Sequence, residues 1–225
     1  MALQLLIGNK NYSSWSMRPW VLMKQLGIAF EERKLRFDFN EGSAFRQEVA
    51  RHSPAGKVPV LLDDDLAVWD TLAITEYLAE LHPGVWPAQR QARARARSLV
   101  CEMHSGFGAL RSHCPMNIEA ALPEVGARIW AEQAAVRADV ARIESAWAQA
   151  LAASGGPFLF GGFCAADAFF APVCARLATY ALPVSDATHA YMQRNAAAPG
   201  VAAWIKDALA EQDYLDFEEP YRKQR

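Results

Sequence analysis

Short apolar runs alternate with helix-like stretches along the first eighty residues. Four runs have the composition of strands, at residues 3–7, 29–37, 58–62 and 66–69. Helical spacing and capping residues predict helices at 16–26, 43–51 and 70–82. Gly27 directly after the first helix is a typical helix stop. The order β-α-β-α-β-β-α predicts a small α/β domain with a mixed sheet.

The pattern becomes helical throughout after this domain. Four apolar residues repeat along one face of a long helix: Val136, Val140, Ile143 and Trp147. Residues 165–180 are apolar all round, which predicts a central buried helix, and further helices are predicted at 187–195 and 201–210. The last five residues are polar and are expected to fray.

A segment with two prolines and a glycine separates the two patterns. Such a composition is typical of an interdomain linker. We therefore predict an α/β domain over residues 1–82, a linker over 83–88 and an all-helical domain over 89–225.

Composition and charge narrow the classes of protein. The chain has 225 residues, 52% of them hydrophobic and 21% charged, which is ordinary for a globular protein. The formal net charge of −2 argues against a nucleic-acid or anionic-membrane partner. The arginine-rich run 90–97 lacks interleaved aromatic residues and is expected to form a solvated or subunit-facing helix. With no basic leader and with glycines interrupting the uncharged stretch 145–166, we expect a soluble cytoplasmic protein.

The cysteines are too few for a disulfide framework: Cys101, Cys114, Cys164 and Cys174. Since none lies in the first hundred residues, the first helix has no thiol nucleophile nearby. His104 and His113 lie close to two of the cysteines, but the spacing fits no standard zinc pattern, so we expect no metal.

Three serines and a tyrosine follow the first strand at the predicted start of the first helix: Tyr12, Ser13, Ser14 and Ser16. A helix N-terminus presents unpaired amides and favours an anion. A serine hydroxyl in this place can donate a hydrogen bond to a thiolate or carboxylate. Alternatively, these serines only cap the helix.

Two further elements suit ligand binding. Pro59 lies inside an apolar run, so either the strand is at a sheet edge or a cis Val58–Pro59 bond leaves the main chain of Val58 free to pair with a peptide-like ligand. Asp70 and Thr71 open the third helix. They either cap it or hold the ammonium and carboxylate of an amino acid.

Together these motifs resemble the cytosolic glutathione S-transferase superfamily along nearly the whole chain. Residues 13–18, Ser-Ser-Trp-Ser-Met-Arg, are similar to the signature of its zeta class, which includes maleylacetoacetate isomerase. Val58-Pro59 resembles the family's cis-proline, and residues 70–78 resemble its γ-glutamyl-binding segment. Asp167 falls where the family has a helix-capping aspartate. The resemblance implies a bacterial enzyme with a thioredoxin-like N-terminal domain and an all-helical C-terminal domain.

The resemblance also implies roles for individual residues. Ser13 matches the catalytic serine that stabilises the thiolate of the co-substrate glutathione, with Ser14 and Ser16 as alternatives. The implied glutathione-binding residues are Ser13, Trp15, Lys57, Val58, Asp70 and Thr71. The implied pocket for an apolar electrophile contains Trp15, His104, Arg111 and Arg176. A homodimer that acts in detoxification is expected on the same ground.

Two departures from the zeta pattern leave alternatives open. Trp15 replaces the motif's cysteine and is expected to narrow or cap the pocket. Thr179 lies near the place of an expected substrate-binding arginine, with Arg176 one turn earlier. The alternatives are a glutathione-dependent cis–trans isomerase of a dicarboxylate and a non-catalytic binding or scaffold protein.

Overall fold

The N-terminal part of the computed structural model, which describes residues 3–225, is a four-stranded sheet with three helices. The elements, in chain order, are β1 (Leu3–Ile7), α1 (Ser14–Gln25), β2 (Phe30–Lys34), α2 (Ala44–His52), β3 (Val60–Asp63), β4 (Leu66–Trp69) and α3 (Thr71–Leu81). The strand order is β2-β1-β3-β4. β1 and β2 are parallel, whereas β3 is antiparallel to both β1 and β4. The predicted element order and the thioredoxin-like mixed sheet are confirmed.

The position of β3 decides between the two interpretations of the proline. β3 lies between β1 and β4, so the edge-strand interpretation is wrong. The Val58–Pro59 peptide bond is cis, and the strand begins only at Val60. Pro59 therefore precedes the strand and removes no donor from the sheet.

The rest of the chain is helical, as predicted. Its helices are α4 (Arg90–Ser105), α5 (Gly108–His113), α6 (Pro123–Glu132), α7 (Ala134–Ser154), α8 (Ala165–Thr179), α9 (Asp186–Ala197) and α10 (Pro199–Glu211), followed by a 3₁₀ turn, Asp216–Glu218. α8 is buried along nearly its whole length and packs against α1 and α4. The four periodic residues of α7 are all buried in the core.

Asp167 ties the start of α8 to two other segments. Its carboxylate accepts hydrogen bonds from the main-chain N–H of Cys164 at 3.0 Å and of Leu159 at 3.1 Å. It also accepts one from the hydroxyl of Tyr191 in α9 at 2.9 Å. The first of these bonds belongs to a capping box, so the predicted helix-capping role is confirmed.

Lys10 and α10 join the sheet to the helices. The buried Lys10 ammonium lies 2.6 Å from Asp207 and 2.7 Å from Glu32, and 4.2 Å from the centre of the Trp20 ring. α10 approaches α1 closely at Gly200, where a Cβ atom would lie 2.6 Å from a carbonyl oxygen of α1. The two parts of the chain therefore share one continuous apolar core.

The C-terminal tail is anchored instead of frayed. Tyr221 donates a hydrogen bond to the carbonyl of His113 at 2.8 Å, and Arg222 forms an ion pair with Glu219. Arg225 forms an ion pair with Glu119 at 2.9 Å. The prediction of a frayed tail is wrong for these residues, because long polar side chains can pair with the segments that they cross.

Two surface features bear on the expected partners. In the arginine-rich run, Arg97 forms a bidentate ion pair with Glu76, and Arg93 donates to the carbonyls of Pro87 and Ala88. These contacts occupy the guanidinium groups within the fold. Across residues 3–225, no helix combines the length and apolar character needed to cross a membrane.

Candidate functional site

A cleft of about 780 Å³ lies where the sheet domain meets the helices. Its sheet-domain side consists of the start of α1, the loop before β3 and the start of α3, that is, residues 12–15, 55–59 and 69–71. The helical side contributes Arg111 and Arg176, and the C-terminal tail contributes Glu218. This volume is in the range of small-molecule sites, about 300–1,000 Å³.

Ser13 both caps α1 and lines the cleft. Its Oγ accepts a hydrogen bond from the main-chain N–H of Ser16 at 3.4 Å. The Ser13 hydroxyl also donates to the Ser16 hydroxyl oxygen, with 2.7 Å between the oxygens. Ser13 therefore places a hydroxyl at the positive end of a helix, where negative charge is stabilised.

The two alternative serines lie in different surroundings. Ser14 lines the cleft, and its hydroxyl accepts a hydrogen bond from Arg176 at 3.1 Å. Ser16 is fully buried and does not line the cleft. The Ser16 Oγ accepts a hydrogen bond from the main-chain N–H of Gly8 at 3.2 Å. Ser16 is therefore placed to orient Ser13 and not to contact a ligand.

Tyr12 lines the same part of the cleft, but its hydroxyl is engaged elsewhere. The hydroxyl donates to a carboxylate oxygen of Glu219 at 2.7 Å. Burial, together with this carboxylate, raises the pKa of Tyr12 to about 12. A tyrosine with this hydrogen bond has no free proton to offer to a ligand in the cleft.

Asp70 and Thr71 meet the cleft at the start of α3. The Asp70 carboxylate caps the helix by accepting from the N–H of Leu72 at 2.8 Å. Asp70 has φ of +72°, a conformation that costs a non-glycine residue about 1–3 kcal/mol and tends to occur at ligand sites. Both the cap and the ligand-binding interpretation are therefore compatible with this geometry.

The loop before β3 completes the sheet-domain side of the cleft. Lys57 is exposed, and Val58 is half-buried; both line the cleft. The structure thus brings together all the residues that were predicted to bind glutathione.

Trp15 lines the cleft between two cations. The guanidinium of Arg18 lies 4.0 Å from the centre of the Trp15 ring, and that of Arg111 lies 5.2 Å from it. The ring of His104 packs edge-on at 5.1 Å. These contacts hold the indole in the wall of the cleft, which remains open.

His104 does not line the cleft, unlike the other residues predicted for the substrate pocket. Its Nε2 lies 3.3 Å from the Asp70 carboxylate, and its Nδ1 lies 3.4 Å from the Thr71 hydroxyl. Burial, followed by the nearby cations Arg18 and Arg111, lowers the pKa of His104, although Asp70 opposes this shift. The ring therefore supports the start of α3 from outside the lining of the cleft.

Arg111 and Arg176 give the helical side of the cleft a positive charge. Arg176 donates to the carbonyl of Cys114 at 2.5 Å and to Ser14. Burial, followed by the charge of Arg111, lowers the pKa of Arg176 to about 10. Burial, followed by the charges of Arg111 and Arg176, lowers the pKa of Arg18 to about 9. Both Arg18 and Arg176 therefore remain cationic at neutral pH.

Several lining residues lie outside the predicted set. Phe37, Phe39 and Phe45 form an aromatic cluster at one end of the cleft, and Glu218 reaches it from the tail. Burial raises the pKa of Glu218. The aromatic residues look like ordinary core positions in the sequence, and the polar tail carries no motif, so neither could be assigned to the cleft without the fold.

No cluster of three or more histidine, cysteine, aspartate or glutamate side chains suitable for a metal ion is present in the described part of the chain. Cys101 is exposed, whereas the other three cysteines are buried.

Curated relatives match parts of this chain in sequence. The chain is 31% identical over 101 residues to a probable maleylacetoacetate isomerase of Caenorhabditis elegans, which is 44% of this chain and 45% of the relative. It is 32% identical over 98 residues to glutathione S-transferase theta-3 of Mus musculus, 42% of this chain and 39% of the relative. The chain thus spans less than half the length of the curated relatives it matches.

The structural matches cover nearly the whole chain. A glutathione transferase homolog from Burkholderia, solved with bound glutathione, has 25% identity and a TM-score of 0.68 over 95% of this chain and 100% of its own. A theta-class glutathione S-transferase from Xanthomonas axonopodis pv. citri has 23% identity and a TM-score of 0.66, over 92% of this chain and 99% of its own, and shows the shared fold.

Family models complete the comparison. The model of the glutathione S-transferase N-terminal domain matches residues 12–81. The model of the C-terminal domain of the same family matches residues 90–207. The two models together match most of the chain, which therefore belongs to the glutathione S-transferase family.

Proposed function

We propose that this protein is a glutathione transferase in which the Ser13 hydroxyl stabilises the thiolate of bound glutathione. The observation that carries the proposal is the place of Ser13, which lines the cleft and caps the N-terminus of α1 through its hydroxyl. The bound glutathione of the Burkholderia homolog supports the choice of ligand. The similarity of residues 13–18 to the zeta signature supports a zeta-like class.

The proposed ligand contacts follow from the chemistry of glutathione, a tripeptide with one ammonium and two carboxylates. Asp70 pairs with the ammonium, while the hydroxyl of Thr71 and the first amides of α3 hold the neighbouring carboxylate. The main chain of Val58 pairs with the cysteinyl main chain. Lys57 supplies a cation to the glycine carboxylate.

A change of hydroxyl orientation readies Ser13 for the sulfur. In the structure, the Ser13 hydroxyl donates to Ser16. When glutathione binds, the Ser16 hydroxyl donates to Ser13 Oγ instead, and the Ser13 proton points to the sulfur. Lowering a thiol pKa of about 8.5 by about two units needs about 2.7 kcal/mol, which one charge-assisted hydrogen bond and the helix dipole together can supply.

The reaction then proceeds by nucleophilic attack. The sulfur lone pair forms a bond to the electrophilic carbon, and the leaving group departs with its bonding electrons. Trp15 and Met116 provide apolar surface next to the sulfur position.

Ser13→Ala tests the assignment. Without the hydroxyl, we expect the pKa of bound glutathione, followed by thiolate absorbance, to rise by about 1–2 units and turnover to fall about 10- to 100-fold. Glutathione binding should be retained, because Asp70, Thr71 and Val58 are unchanged. Ser14→Ala is the matched control, because it removes a neighbouring hydroxyl that is engaged by Arg176 and should therefore leave turnover in place. Unchanged turnover in Ser13→Ala would refute the role proposed for the Ser13 hydroxyl.

A second candidate is a glutathione-dependent isomerase of a dicarboxylate. Arg111 and Arg176 place two cations in the cleft, which suits a dianionic substrate, and one relative is named a probable maleylacetoacetate isomerase. The thiolate would add to an alkene, allow rotation about the resulting single bond and leave again. The amount of glutathione consumed distinguishes the two reactions. An isomerase regenerates glutathione, whereas a transferase consumes it. Loss of isomerisation in Arg176→Met with conjugation intact would support the isomerase.

The scaffold alternative depends on closure of the cleft by Trp15. The indole lies in the wall and leaves about 780 Å³ open, so the geometry favours a ligand-binding function. Failure to bind glutathione in a calorimetric titration would restore the scaffold interpretation.

We propose a cytoplasmic homodimer that detoxifies electrophiles. Large apolar side chains are exposed on β4 and α3, at Leu66, Trp69 and Leu81, and these suit a subunit contact. Sedimentation equilibrium at micromolar concentration tests the dimer, and a monomer there would contradict it.

A further inference from the structure

The imidazole of His104, on α4, lies outside the lining of the cleft and faces two residues that belong to the lining. Its Nε2 is 3.3 Å from a carboxylate oxygen of Asp70, and its Nδ1 is 3.4 Å from the hydroxyl oxygen of Thr71. Trp15 packs edge-on against the same ring, with 5.1 Å between the ring centres. Both ring nitrogens therefore meet the segment to which we assign the γ-glutamyl end of glutathione.

The protein's own groups favour the neutral form of this ring. The charged groups that act on it are Asp70 at the start of α3, Arg18 of α1 and Arg111 of α5. Burial, and after it the two arginines, hold the pKa of His104 below its ordinary value, although Asp70 opposes this shift. Phe169 of α8, which also packs near the ring, carries no charge. At neutral pH the ring therefore has one N–H donor and one acceptor nitrogen.

The neutral ring commits the hydroxyl proton of Thr71. A carboxylate only accepts hydrogen bonds, so Nε2 of His104 carries the ring proton and donates to Asp70. Nδ1 is then an acceptor, and the Thr71 hydroxyl that faces it donates to it. In this arrangement the Thr71 hydroxyl offers only lone pairs to the cleft, and lone pairs cannot hold the carboxylate of a ligand.

A protonated ring reverses the hydrogen bond between His104 and Thr71. The Nδ1 lone pair takes a proton from solvent, and the imidazolium then has an N–H on both nitrogens. Nδ1 donates to the Thr71 oxygen, while Nε2 continues to donate to Asp70. The Thr71 hydroxyl proton is thereby released and can be donated to a carboxylate in the cleft.

We propose that His104 takes up a proton when the γ-glutamyl end of glutathione binds, and that it is a positioning residue for the carboxylate held by Thr71. The bound carboxylate accepts the Thr71 proton, and the turned hydroxyl accepts the new N–H of the ring. Asp70 can serve Leu72, the ring and the ligand ammonium together, since a carboxylate has about four lone-pair sites. This inference rests on the proposed function, because it needs glutathione in the cleft.

The expected pH dependence follows from the proton uptake. The complex holds more protons than the free protein, so the affinity increases as the pH falls through the pKa of the ring in the complex. The affinity stops increasing below the lower pKa of the free ring, because the ring is then protonated in both states. We expect an affinity at least about threefold higher at pH 6 than at pH 8.

Calorimetric titration of the full chain with S-methylglutathione measures the uptake. This probe keeps the γ-glutamyl end and has no thiol, so ionisation of the sulfur contributes no protons. Titrations in buffers of different ionisation enthalpy give the number of protons taken up per ligand bound. At pH 6.5 we expect an uptake of about 0.3–1 proton. Binding without uptake overturns the proposal.

His104→Gln tests whether the ring is the group that takes up the proton. The glutamine amide can donate to Asp70 and accept from Thr71, as the neutral ring does, but it does not titrate. We expect the variant to bind S-methylglutathione without uptake and with about equal affinity at pH 6 and pH 8. The matched control is His189→Gln, an exposed position of α9 outside the cleft lining, which should keep the uptake. Uptake that persists in His104→Gln belongs to another group and refutes the proposal.

An NMR titration replaces the variant if His104→Gln does not fold by circular dichroism. The chain has five histidines, and the ring of His104 is identified by its contact with Trp15. The pKa of this ring should be higher with S-methylglutathione than without it, and an unchanged or lower pKa refutes the proposal. Failure of the protein to bind either glutathione or S-methylglutathione has a different meaning, because it refutes the proposed function and this inference with it.

Discussion

Tyr12→Phe distinguishes the contribution of the Tyr12 hydroxyl from that of the Ser13 hydroxyl at the start of α1. The variant removes one oxygen from a side chain that otherwise keeps its packing with Phe37, Phe45 and Leu215. That oxygen donates to Glu219 at 2.7 Å and accepts from the main-chain N–H of Leu215 at 3.4 Å. The change therefore loosens the tail and leaves Ser13 in place.

The two effects differ in size. A hydrogen bond to a charged group contributes about 1.5–3 kcal/mol to stability. Glu219 keeps its donors Arg222 and Asn117 in the variant, so it is not left bare. We expect the free energy of unfolding to fall by about 1–2 kcal/mol. We expect kcat/KM for conjugation to change less than about threefold, because the Tyr12 proton is committed to Glu219.

Two assays read the result. Urea denaturation gives the free energy of unfolding, and the rate of glutathione conjugation against pH gives the pKa of the thiolate. Ser13→Ala run in parallel should show the opposite pattern, with a large loss of rate. A loss of about a hundredfold in Tyr12→Phe, with unchanged stability, would mean that Tyr12 stabilises the thiolate, and the reasoning about Ser13 would be refuted.

The remaining predictions concern stability. Lys10→Met removes a buried ammonium shared by Glu32 and Asp207. We expect the free energy of unfolding, measured by urea denaturation, to fall by about 2 kcal/mol. A change under about 0.5 kcal/mol would contradict the view that Lys10 joins the sheet to the helices. Gly200→Ala places a methyl group 2.6 Å from a carbonyl of α1, so we expect a loss of about 1–3 kcal/mol in thermal unfolding, and no loss would mean that the helices can separate freely. Although burial opposes the shift, hydrogen bonds hold the pKa of Glu219 below its usual value. Because the folded pKa is the lower one, this stabilisation is complete above the unfolded value of about 4.3 and is lost as pH falls through the folded value. Glu219→Gln should flatten that part of the stability profile, and an unchanged profile would assign the acid sensitivity to another group.

The sequence by itself determined the order of elements and the start of the helices that reach the cleft. Apolar spacing is a local property, because a helix or strand turns its side chains at a constant period. Caps are equally local, which is why the serines 13, 14 and 16 could be placed as a group near the start of α1, and Asp70 or Thr71 at the start of α3; the structure identifies Ser13 and Asp70 as the caps. The resemblance of short motifs then indicated which of these caps face a ligand.

Local patterns left open the choice among neighbouring hydroxyls, which the tertiary structure narrows. Ser14 and Ser16 have the same chemistry as Ser13, yet one contacts Arg176 and the other lies beneath the cleft. The hydroxyl of Tyr12 is occupied by Glu219, a residue 207 positions later. No local signal reports such a pairing, because it depends on the path of the tail across the fold.

The same reason explains why His104 lies outside the lining of the cleft and why some of the lining residues were not predicted. His104 is on the helix that was expected to reach the substrate, but its side chain packs behind Trp15 and the start of α3. Glu218 and Phe39 enter the cleft from segments without a motif. Each of these facts is set by packing between elements distant in sequence, and packing of this kind leaves no periodic trace in the chain.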